Sequence, residues 1–442
     1  YTLLLFSIIF YAWGGILYLP LLIISIIINY IFGIQIEKYK DNNKKRKNIL
    51  IISIIFNVLF LGVFKYTNFI TDNINIIFKT SINIPIIPLP IGISFYTFQA
   101  MSYVIDVYRN DGKVQKNIFN LALYISMFPQ LVAGPIVRYE TIDNQITNRI
   151  HNIDKFNQGI ERLTIGLFKK VIISNTVGEL SALIYSLSNY QMSISVAWLG
   201  AIAYTLQVYF DFSGYSDMAI GLGKMLGFEF LENFNYPYIS KSVAEFWRRW
   251  HISLGSWFRD YVYFPLGGSR VKSKARLVFN LFIVWLLTGI WHGANFTFIA
   301  WGLMYFVLIS LEKLTNFEKR NVNSAVRYIY TMFFVVIGWV FFRADSIAEG
   351  IGFVGKMFGA GASGLTDANF TVFMKENIWY FILGIVFSTP IAKKLGEYVS
   401  EKTGGSNPLI TVLYSVCLTA GMLVSLSYLI KGAYNPFIYF NF

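Results

Sequence analysis

The run WLLTGIWHGANFTFIAWG (285–302) contains a histidine, His292, where two strongly apolar segments meet. A neutral imidazole held there can take a proton from a hydroxyl nucleophile, because its pKa lies near the operating pH. The alternative is a histidine that is hydrogen-bonded in a helix interface. Histidine is uncommon in segments this apolar, so both interpretations stay open.

A second run, EFWRRWHISLGSWFRDYVYFPLGGSR (245–270), mixes arginines and aromatic rings with His251. It is too charged to cross a membrane and too aromatic for an ordinary loop, which predicts an interfacial helix. Arg248, Arg249 and Arg259 are candidates for binding the phosphates of coenzyme A or of a phosphopantetheine arm. The alternative is that the arginines only anchor the chain and that His251 is structural.

A third run, YFDFSGYSDMAIG (209–221), places Asp211 and Asp217 in an apolar context. Facing a polar cavity, they would pair with an arginine or orient a histidine. Their six-residue spacing does not put them on one helix face, which disfavours a paired acid–base role. A proton or cation path and a structural motif remain alternatives. The three histidines and single cysteine lack the spacing of metal ligands, so no metal site is predicted.

The composition predicts a polytopic membrane protein. Of 442 residues, 55% are hydrophobic and 14% are charged, against about 25% charged residues in soluble domains. The net charge of +13 comes from short basic loops between apolar stretches, which indicates membrane topology and anionic lipid contacts rather than nucleic-acid binding. A bilayer crossing takes about 20 apolar residues. The candidate segments are 1–18, 19–36, 48–65, 91–108, 117–135, 162–187, 194–222, 276–292, 294–312, 327–343, 376–392 and 408–431.

The loops orient these segments. The basic loops 37–48, 248–276 and 313–327 are predicted to be cytoplasmic, and the loops 66–90 and 344–375 external, which puts the C-terminus outside. Three apolar segments separate the cytoplasmic stretch 109–116 from cytoplasmic Arg248, although an even number of crossings is needed. One of them is therefore predicted to be re-entrant beside a central cavity. The lack of an internal repeat disfavours a transporter built from two related halves.

Five runs together carry a family resemblance: LPIGISFYTFQAMSYVIDVYR (89–109), MFPQLVAGPIVRYE (127–140), DFSGYSDMAIG (211–221), FWRRWHISLGSWFRDYVYFPLGGSR (246–270) and TGIWHGANFTFIAWG (288–302). They resemble the membrane-bound O-acyltransferase family, in its bacterial branch of alginate and peptidoglycan O-acetyltransferases, and more distantly teichoic-acid D-alanyl transferases. The resemblance covers nearly all of 1–442 as one membrane domain. It implies an all-α ring of roughly eleven tilted helices with cytoplasmic and external funnels. The opening FYAWGG resembles the branch's second helix, so an earlier helix is expected to precede it.

The resemblance also implies the residues of the site. His292 matches the family's catalytic histidine, and His251 matches a second important one. Trp291, Asp211 and the three arginines are assigned to substrate binding. The run 436–442 ends in F-x-Y-x-x-F, which is similar to a motif whose tyrosine is proposed to carry the acyl group, and this makes Tyr439 a candidate carrier. The alternative is an aromatic C-terminal anchor.

The expected activity is acetyl transfer from a cytoplasmic thioester across a bacterial cytoplasmic membrane, for O-acetylation of an exported polysaccharide. The resemblance implies acetyl-CoA or an acyl carrier protein as donor, no bound cofactor, and an extracytoplasmic SGNH-like acetyltransferase as partner. The alternatives are D-alanyl transfer to teichoic acid, a proton-coupled transporter or flippase, and a non-catalytic scaffold. An intact His292 disfavours the scaffold.

Overall fold

The structure is a computed structural model that describes residues 1–187, 192–402, 407–432 and Phe437. The described residues are predominantly helical and include no β-strand. The α-helices are α1 (Thr2–Gly15), α2 (Leu19–Lys38), α3 (Asn43–Phe78), α4 (Ile93–Arg109), α5 (Ile118–Ser126), α6 (Phe128–Leu131), α7 (Tyr139–Asn148), α8 (Ile153–Phe168), α9 (Asn175–Ser186), α10 (Ile194–Met225), α11 (Val243–Arg249), α12 (Ile252–Phe258), α13 (Lys274–His292), α14 (Phe296–Leu314), α15 (Ser324–Arg343), α16 (Ile347–Met357), α17 (Ala368–Phe387), α18 (Ile391–Lys402) and α19 (Pro408–Lys431).

Seven helical stretches in the described part of the chain are long and apolar enough to cross a membrane. They are Thr2–Lys38, α3, α13, α14, α15, α17 and α19. The chain is thus a multi-pass membrane protein, with fewer such helices than the dozen segments predicted. Two of those segments account for part of the difference. Every residue from Ile93 to Val107 on α4 is buried inside the protein, and 117–135 is broken at Met127 into α5 and α6.

The break at Met127 bears on the prediction that not every apolar segment in this part of the chain crosses the membrane. α5 has nine residues, which gives a length of about 14 Å, half of the hydrocarbon thickness. α6 follows at once with four residues and Pro129 in its first turn. Neither piece crosses a bilayer alone. The segment 162–187 is interrupted as well, by a π-helical stretch at Lys169–Ser174.

The chain forms two compact units. The first contains residues 1–160 and 219–231. Its helices α2 and α3 are joined by buried Asn29 and Asn57, whose amides donate to each other at 3.1 and 2.8 Å. In apolar surroundings such a pair removes the cost of burying two polar groups. Its core contains the rings of Tyr103, Tyr124 and Tyr139, packed edge to face.

The second unit contains residues 161–218 and 232–442. Its central feature is the hairpin of α13 and α14, which begin at polar caps, Ser273 and Asn295. The two helices touch at glycines. A Cβ on Gly289 would lie 2.6 Å from the carbonyl oxygen of Phe298, and one on Gly302 would lie 2.5 Å from that of Trp285. Only glycine allows this approach, which fixes the end of α13 where His292 lies.

Cys417 differs from what its apolar surroundings predict. An apolar run predicts a buried thiol, but Cys417 is exposed in the structure. The reason is that α19 packs little of its surface against the protein, since 6% of its most apolar 18-residue stretch is buried.

Candidate active site

Both candidate histidines line one cavity in the second unit. Its volume is about 470 Å³. Its lining is mostly apolar and aromatic, with His251 and His292 among the walls. Three basic side chains also line it, Arg248, Arg259 and Lys313, and all three are exposed residues. The cavity therefore connects buried imidazoles with exposed cations.

His292 is the last residue of α13 and is 4% exposed. Aromatic rings enclose it edge to face: the ring of Trp301 lies 4.9 Å away and the ring of Phe342 5.2 Å away, between centroids. Such packing fixes the orientation of the imidazole and excludes bulk water from it.

His251 lies in the bend between α11 and α12 and is 2% exposed. Its backbone has φ +43°, a left-handed conformation that costs a non-glycine residue free energy and is found at functional sites. Its Nδ1 lies 3.1 Å from Oδ1 of Asn233. That oxygen also accepts a hydrogen bond from the backbone N–H of Ser253, at 3.2 Å.

These contacts define the tautomer of His251. The backbone N–H of Ser253 can only donate, so the Asn233 atom that faces it is the amide oxygen. In a hydrogen bond between Nδ1 of His251 and the same oxygen, Nδ1 is the donor, which leaves Nε2 as the basic nitrogen of the ring. The amide nitrogen of Asn233 donates in turn to Ser216 at 3.0 Å. Burial lowers the pKa of His251 to about 3, so the ring is neutral near pH 7.

The short helix α11 forms one wall of the cavity and is held at its first turn by Glu312 on α14. The two carboxylate oxygens of Glu312 accept the backbone N–H groups of Val243 and Ala244, at 2.7 and 2.8 Å. Glu312 is 4% exposed. A buried carboxylate with two such donors satisfies both itself and the orphan donors of the helix end.

The arginines of the same region are already paired with acids. Arg248 donates to Glu318 at 2.6 Å, Arg259 to its neighbour Asp260 at 2.7 Å, and Arg249 pairs with Glu245 at 2.9 Å. Arg248 and Arg259 line the cavity, whereas Arg249 does not. Burial tends to raise the pKa of Glu318, but hydrogen bonds from Arg248 and Ser242 outweigh it and keep that pKa below its usual value.

Lys313 differs from those arginines. Among the described residues it has no carboxylate partner; its ammonium contacts Tyr263 through the hydroxyl, at 3.3 Å, and over the ring. It therefore contributes a positive charge to the cavity that is not paired with an acid in the described part of the chain.

The sequence profile described as "MBOAT, membrane-bound O-acyltransferase family" matches residues 112–348, more than half of the chain and the part that contains the cavity. The chain belongs to the membrane-bound O-acyltransferase family. It is an acyltransferase.

Curated members of the membrane-bound O-acyltransferase family match well beyond that range. A probable alginate O-acetylase of Pseudomonas putida is 39% identical over 100% of this chain and 94% of its own length. One from Pseudomonas aeruginosa is 44% identical over 83% of this chain and 71% of its own. A peptidoglycan O-acetyltransferase of Helicobacter pylori is 36% identical over 81% of this chain and 73% of its own. A teichoic acid D-alanyltransferase of Bacillus subtilis matches 52% of this chain, at 32% identity.

Asp211 and Asp217 lie on α10 of this O-acyltransferase, away from the cavity lining, and each has its own cations. Asp211 is 2% exposed and lies 2.5 Å from Nζ of Lys170. Asp217 accepts from Arg162 at 2.7 Å and from Lys169 at 2.6 Å. The separate partners fit the prediction that the six-residue spacing puts the two carboxylates on different faces. Their direct role is to join α10 to α8 and the π-helical stretch.

Trp291 and the tail complete the predicted set. The Trp291 ring lies 6.3 Å from that of His251 and 5.0 Å from that of His292, although it does not line the cavity. Phe437 is 5% exposed and packs against Phe212, whose ring in turn lies 4.5 Å from His251. Tyr439 lies outside the described residues, as does the rest of 436–442 apart from Phe437.

Three contributors to the site were missed by the sequence analysis: Asn233, Glu312 and Lys313. Glu312 and Lys313 end an apolar helix, where charges are ordinary, and Asn233 lies in a loop. Only the backward folding of 233–235 along 249–252, joined by backbone hydrogen bonds of 2.9 Å, brings Asn233 to His251. Among the described residues, no group of three or more His, Cys, Asp or Glu side chains could hold a metal ion.

Proposed function

We propose that this O-acyltransferase moves an acetyl group from a cytoplasmic thioester donor across the membrane, for O-acetylation of an exported polysaccharide. The observation that carries the proposal is the cavity of about 470 Å³, which is lined by His251, His292 and three basic side chains. The names of the alginate and peptidoglycan relatives support acetyl as the group and an exported polymer as its destination.

Acetyl-CoA is the proposed donor, with an acyl carrier protein as the alternative. Phosphates of a coenzyme would lie at the exposed cations, Lys313 above all because none of the described acids pairs with it. The acetyl thioester would lie deeper, beside the histidines. This direction of entry agrees with the positive-inside rule, which puts the basic loop 248–276 in the cytoplasm.

Tyr439 is proposed to receive the acetyl group. His292 takes the proton of the tyrosine hydroxyl, the phenolic oxygen attacks the thioester carbonyl, the C–S bond breaks, and the thiolate leaves and takes up a proton. The products are an acetyl-tyrosine ester and a free thiol. His251, with its basic Nε2, lies in the same cavity and can assist the proton transfer.

The position of Phe437 supports this relay. It packs against Phe212, the ring that contacts His251. Tyr439 follows two residues later, and two residues span about 7 Å at most. We propose that the chain beyond Phe437 brings the hydroxyl of Tyr439 to the histidine cavity.

The final acceptor would be served by a partner. We propose that an extracytoplasmic acetyltransferase of the SGNH type takes the acetyl group from Tyr439 and passes it to the polymer. This requires an external C-terminus in a bacterial cytoplasmic membrane, as the loop charges predict. Transfer of D-alanine is less favoured because the D-alanyltransferase relative matches about half of the chain.

The test is acetyl labelling of the purified full-length protein with radiolabelled acetyl-CoA. Wild type, His292→Ala and Tyr439→Phe would be compared, with Tyr398→Phe as control because Tyr398 is an exposed tyrosine on α18. We expect alkali-labile label on the wild type and the control and none on the other two variants. Undiminished label on Tyr439→Phe would refute the relay, and no binding of acetyl-CoA to the wild type would refute the donor.

A further inference from the structure

Arg343 is a cation at the end of a membrane helix, and no acid in the described part of the chain pairs with it. It is the last residue of α15 and is half-buried. Its guanidinium lies over the rings of Tyr185, at 5.2 Å, and Tyr204, at 5.9 Å. Among the described residues no carboxylate pairs with it; the nearby Glu349 instead accepts the backbone N–H of Asp345, at 2.8 Å.

The stacking leaves the donors of this arginine unused. A cation–π contact occupies the flat face of a guanidinium, while its N–H groups point outward in the plane. The ring of Tyr185 is itself held by Phe353, which stacks on it at 4.1 Å with an interplanar angle of 2°. Arg343 is thus held in place without any of its hydrogen bonds being made to the described protein.

The two tyrosines add to this surplus of donors. The hydroxyls of Tyr185 and Tyr204 are buried and make no hydrogen bond within the described residues, and Tyr204 is 1% exposed. A buried hydroxyl without a partner destabilises a fold, so natural proteins rarely keep two side by side. A guanidinium and two phenols together call for a ligand rich in acceptor oxygens, and an oxyanion is the simplest such ligand.

The position of Arg343 along its membrane helix indicates which oxyanion is available to it. α15 has 20 residues and a length of about 30 Å, the hydrocarbon thickness of a bilayer. Arg343, its last residue, therefore lies at the level of the lipid head groups. On the helix that follows, Ile347 and Ile351 are 39% and 59% exposed and offer an apolar surface to lipid chains.

We propose that Arg343, with Tyr185 and Tyr204, binds the phosphate of a membrane phospholipid. The site lies next to the reaction centre, because the preceding residue, Phe342, packs on the His292 ring at 5.2 Å. A bound lipid would thereby stabilise the end of α15 that encloses His292. The proposal does not depend on which acyl group or acceptor the enzyme uses.

A purely structural role predicts a different outcome. A cation at the C-terminus of a helix is favoured by the helix dipole alone. In that case the two hydroxyls serve nothing, and Tyr204→Phe would leave lipid binding unchanged and raise the thermal midpoint. If the hydroxyls bind phosphate, the same variant loses affinity for phospholipid while it still folds.

The experiment uses delipidated full-length protein in a maltoside detergent. Binding of dioleoylphosphatidylglycerol is measured by native mass spectrometry and by the thermal midpoint. Dioleoylglycerol, which has the same chains and no phosphate, and inorganic phosphate are the comparison ligands. Arg343→Gln, Tyr204→Phe and wild type are tested, with Arg270→Gln as control because Arg270 is an exposed arginine on a loop.

We expect phosphatidylglycerol to bind and stabilise the wild type and Arg270→Gln, and dioleoylglycerol to do neither. Arg343→Gln should weaken lipid affinity about tenfold or more, and Tyr204→Phe about threefold to fivefold. Equal binding by wild type and Arg343→Gln would overturn the site. Equal stabilisation by inorganic phosphate at the same concentration would overturn its assignment to a lipid. Should Arg343→Gln fail to fold, Tyr204→Phe decides between the two outcomes.

Discussion

The side-chain oxygen of Asn233 lies 3.1 Å from Nδ1 of His251 and also receives the backbone N–H of Ser253. This double contact defines which nitrogen of His251 carries the proton, and it does so from a loop that precedes the histidine by 18 residues. The basic nitrogen of the ring is therefore Nε2, the nitrogen that does not contact Asn233. We propose that Asn233 is a positioning residue, which acts on the reaction through His251.

Removal of the Asn233 amide should lower the rate and leave donor binding intact. We expect Asn233→Leu, which keeps the branched shape but cannot accept a hydrogen bond, to reduce kcat by about tenfold to a hundredfold, since general base catalysis of this kind contributes about 10² to 10⁴. KM for the donor should change less than about twofold. Initial rates of acetyl transfer, at equal amounts of monodisperse protein, measure both values.

Asn233→Asp provides the matched control. It keeps an oxygen acceptor for Nδ1 and adds a negative charge, which should raise the pKa of His251 and shift the pH profile of kcat while much of the activity remains. If Asn233→Leu and Asn233→Asp lost activity equally with unchanged pH profiles, the tautomer argument for Asn233 would be wrong.

The buried, neutral His251 should make the protein sensitive to acid. His251 lies outside the seven candidate membrane spans, and burial lowers its pKa from 6.5 to about 3. Between these values the unfolded chain binds a proton that the folded chain does not, so stability falls as the pH drops from about 6.5 towards 3. The loss is at most about 1.4 kcal/mol per pH unit.

Thermal midpoints in detergent between pH 4 and pH 8 check this. His251→Gln should flatten the acid side of the curve, whereas His151→Gln, which changes an exposed histidine, should leave it as in wild type. An acid slope that persists in full in His251→Gln would assign the sensitivity to other groups.

The anchor of α11 gives a third prediction. Glu312 accepts two backbone N–H groups, and Gln can accept only one of them while its own amide N–H₂ faces the other. Because Ala244, Trp247 and Arg248 on α11 line the cavity, Glu312→Gln should loosen the donor site. We expect KM for the donor to rise about fivefold to tenfold, the value of a lost hydrogen bond, with a smaller change in kcat.

Glu376→Gln, an exposed glutamate on α17, is the control for loss of a negative charge. A proportional fall in kcat with unchanged KM would contradict a role of Glu312 in holding the donor wall. If Glu312→Gln alone cannot be purified as monodisperse protein, its donor affinity is measured in membranes instead.

Much of this site could be predicted from the sequence, because ionisable residues in apolar segments are energetically costly and therefore stand out. His292 and His251, which line the cavity, and the two aspartates of α10, which do not, were all singled out in this way. The contributors that escaped are ordinary in their local context. Glu312 and Lys313 end an apolar helix, a usual place for charge, and their roles come from contacts with segments 69 and 50 residues away.

The boundaries of some apolar segments were predicted wrongly for a related reason. Hydropathy finds apolar segments but not their breaks. The segment 117–135 is apolar throughout, yet Met127 adopts ψ 114° and ends α5 after nine residues. Hydropathy also placed the end of one helix too early. α3 continues to Phe78, well past the predicted end at residue 65, because the chain stays helical beyond its most apolar part.

Lys313 should recognise the phosphates of the donor rather than its thioester. It is exposed, lines the cavity and has no carboxylate partner among the described residues, in contrast to Arg248 and Arg259. We expect Lys313→Ala to raise KM for acetyl-CoA about tenfold, as for a lost charge-assisted hydrogen bond, and to leave KM for S-acetylpantetheine, which has no phosphate, unchanged. The difference between the two donors should shrink at high salt, because exposed charges are screened. Lys272→Ala, on the neighbouring basic loop, should behave as wild type. An equal rise in KM for both donors would mean that Lys313 acts through its contact with Tyr263, by shaping the cavity wall, and not through phosphate.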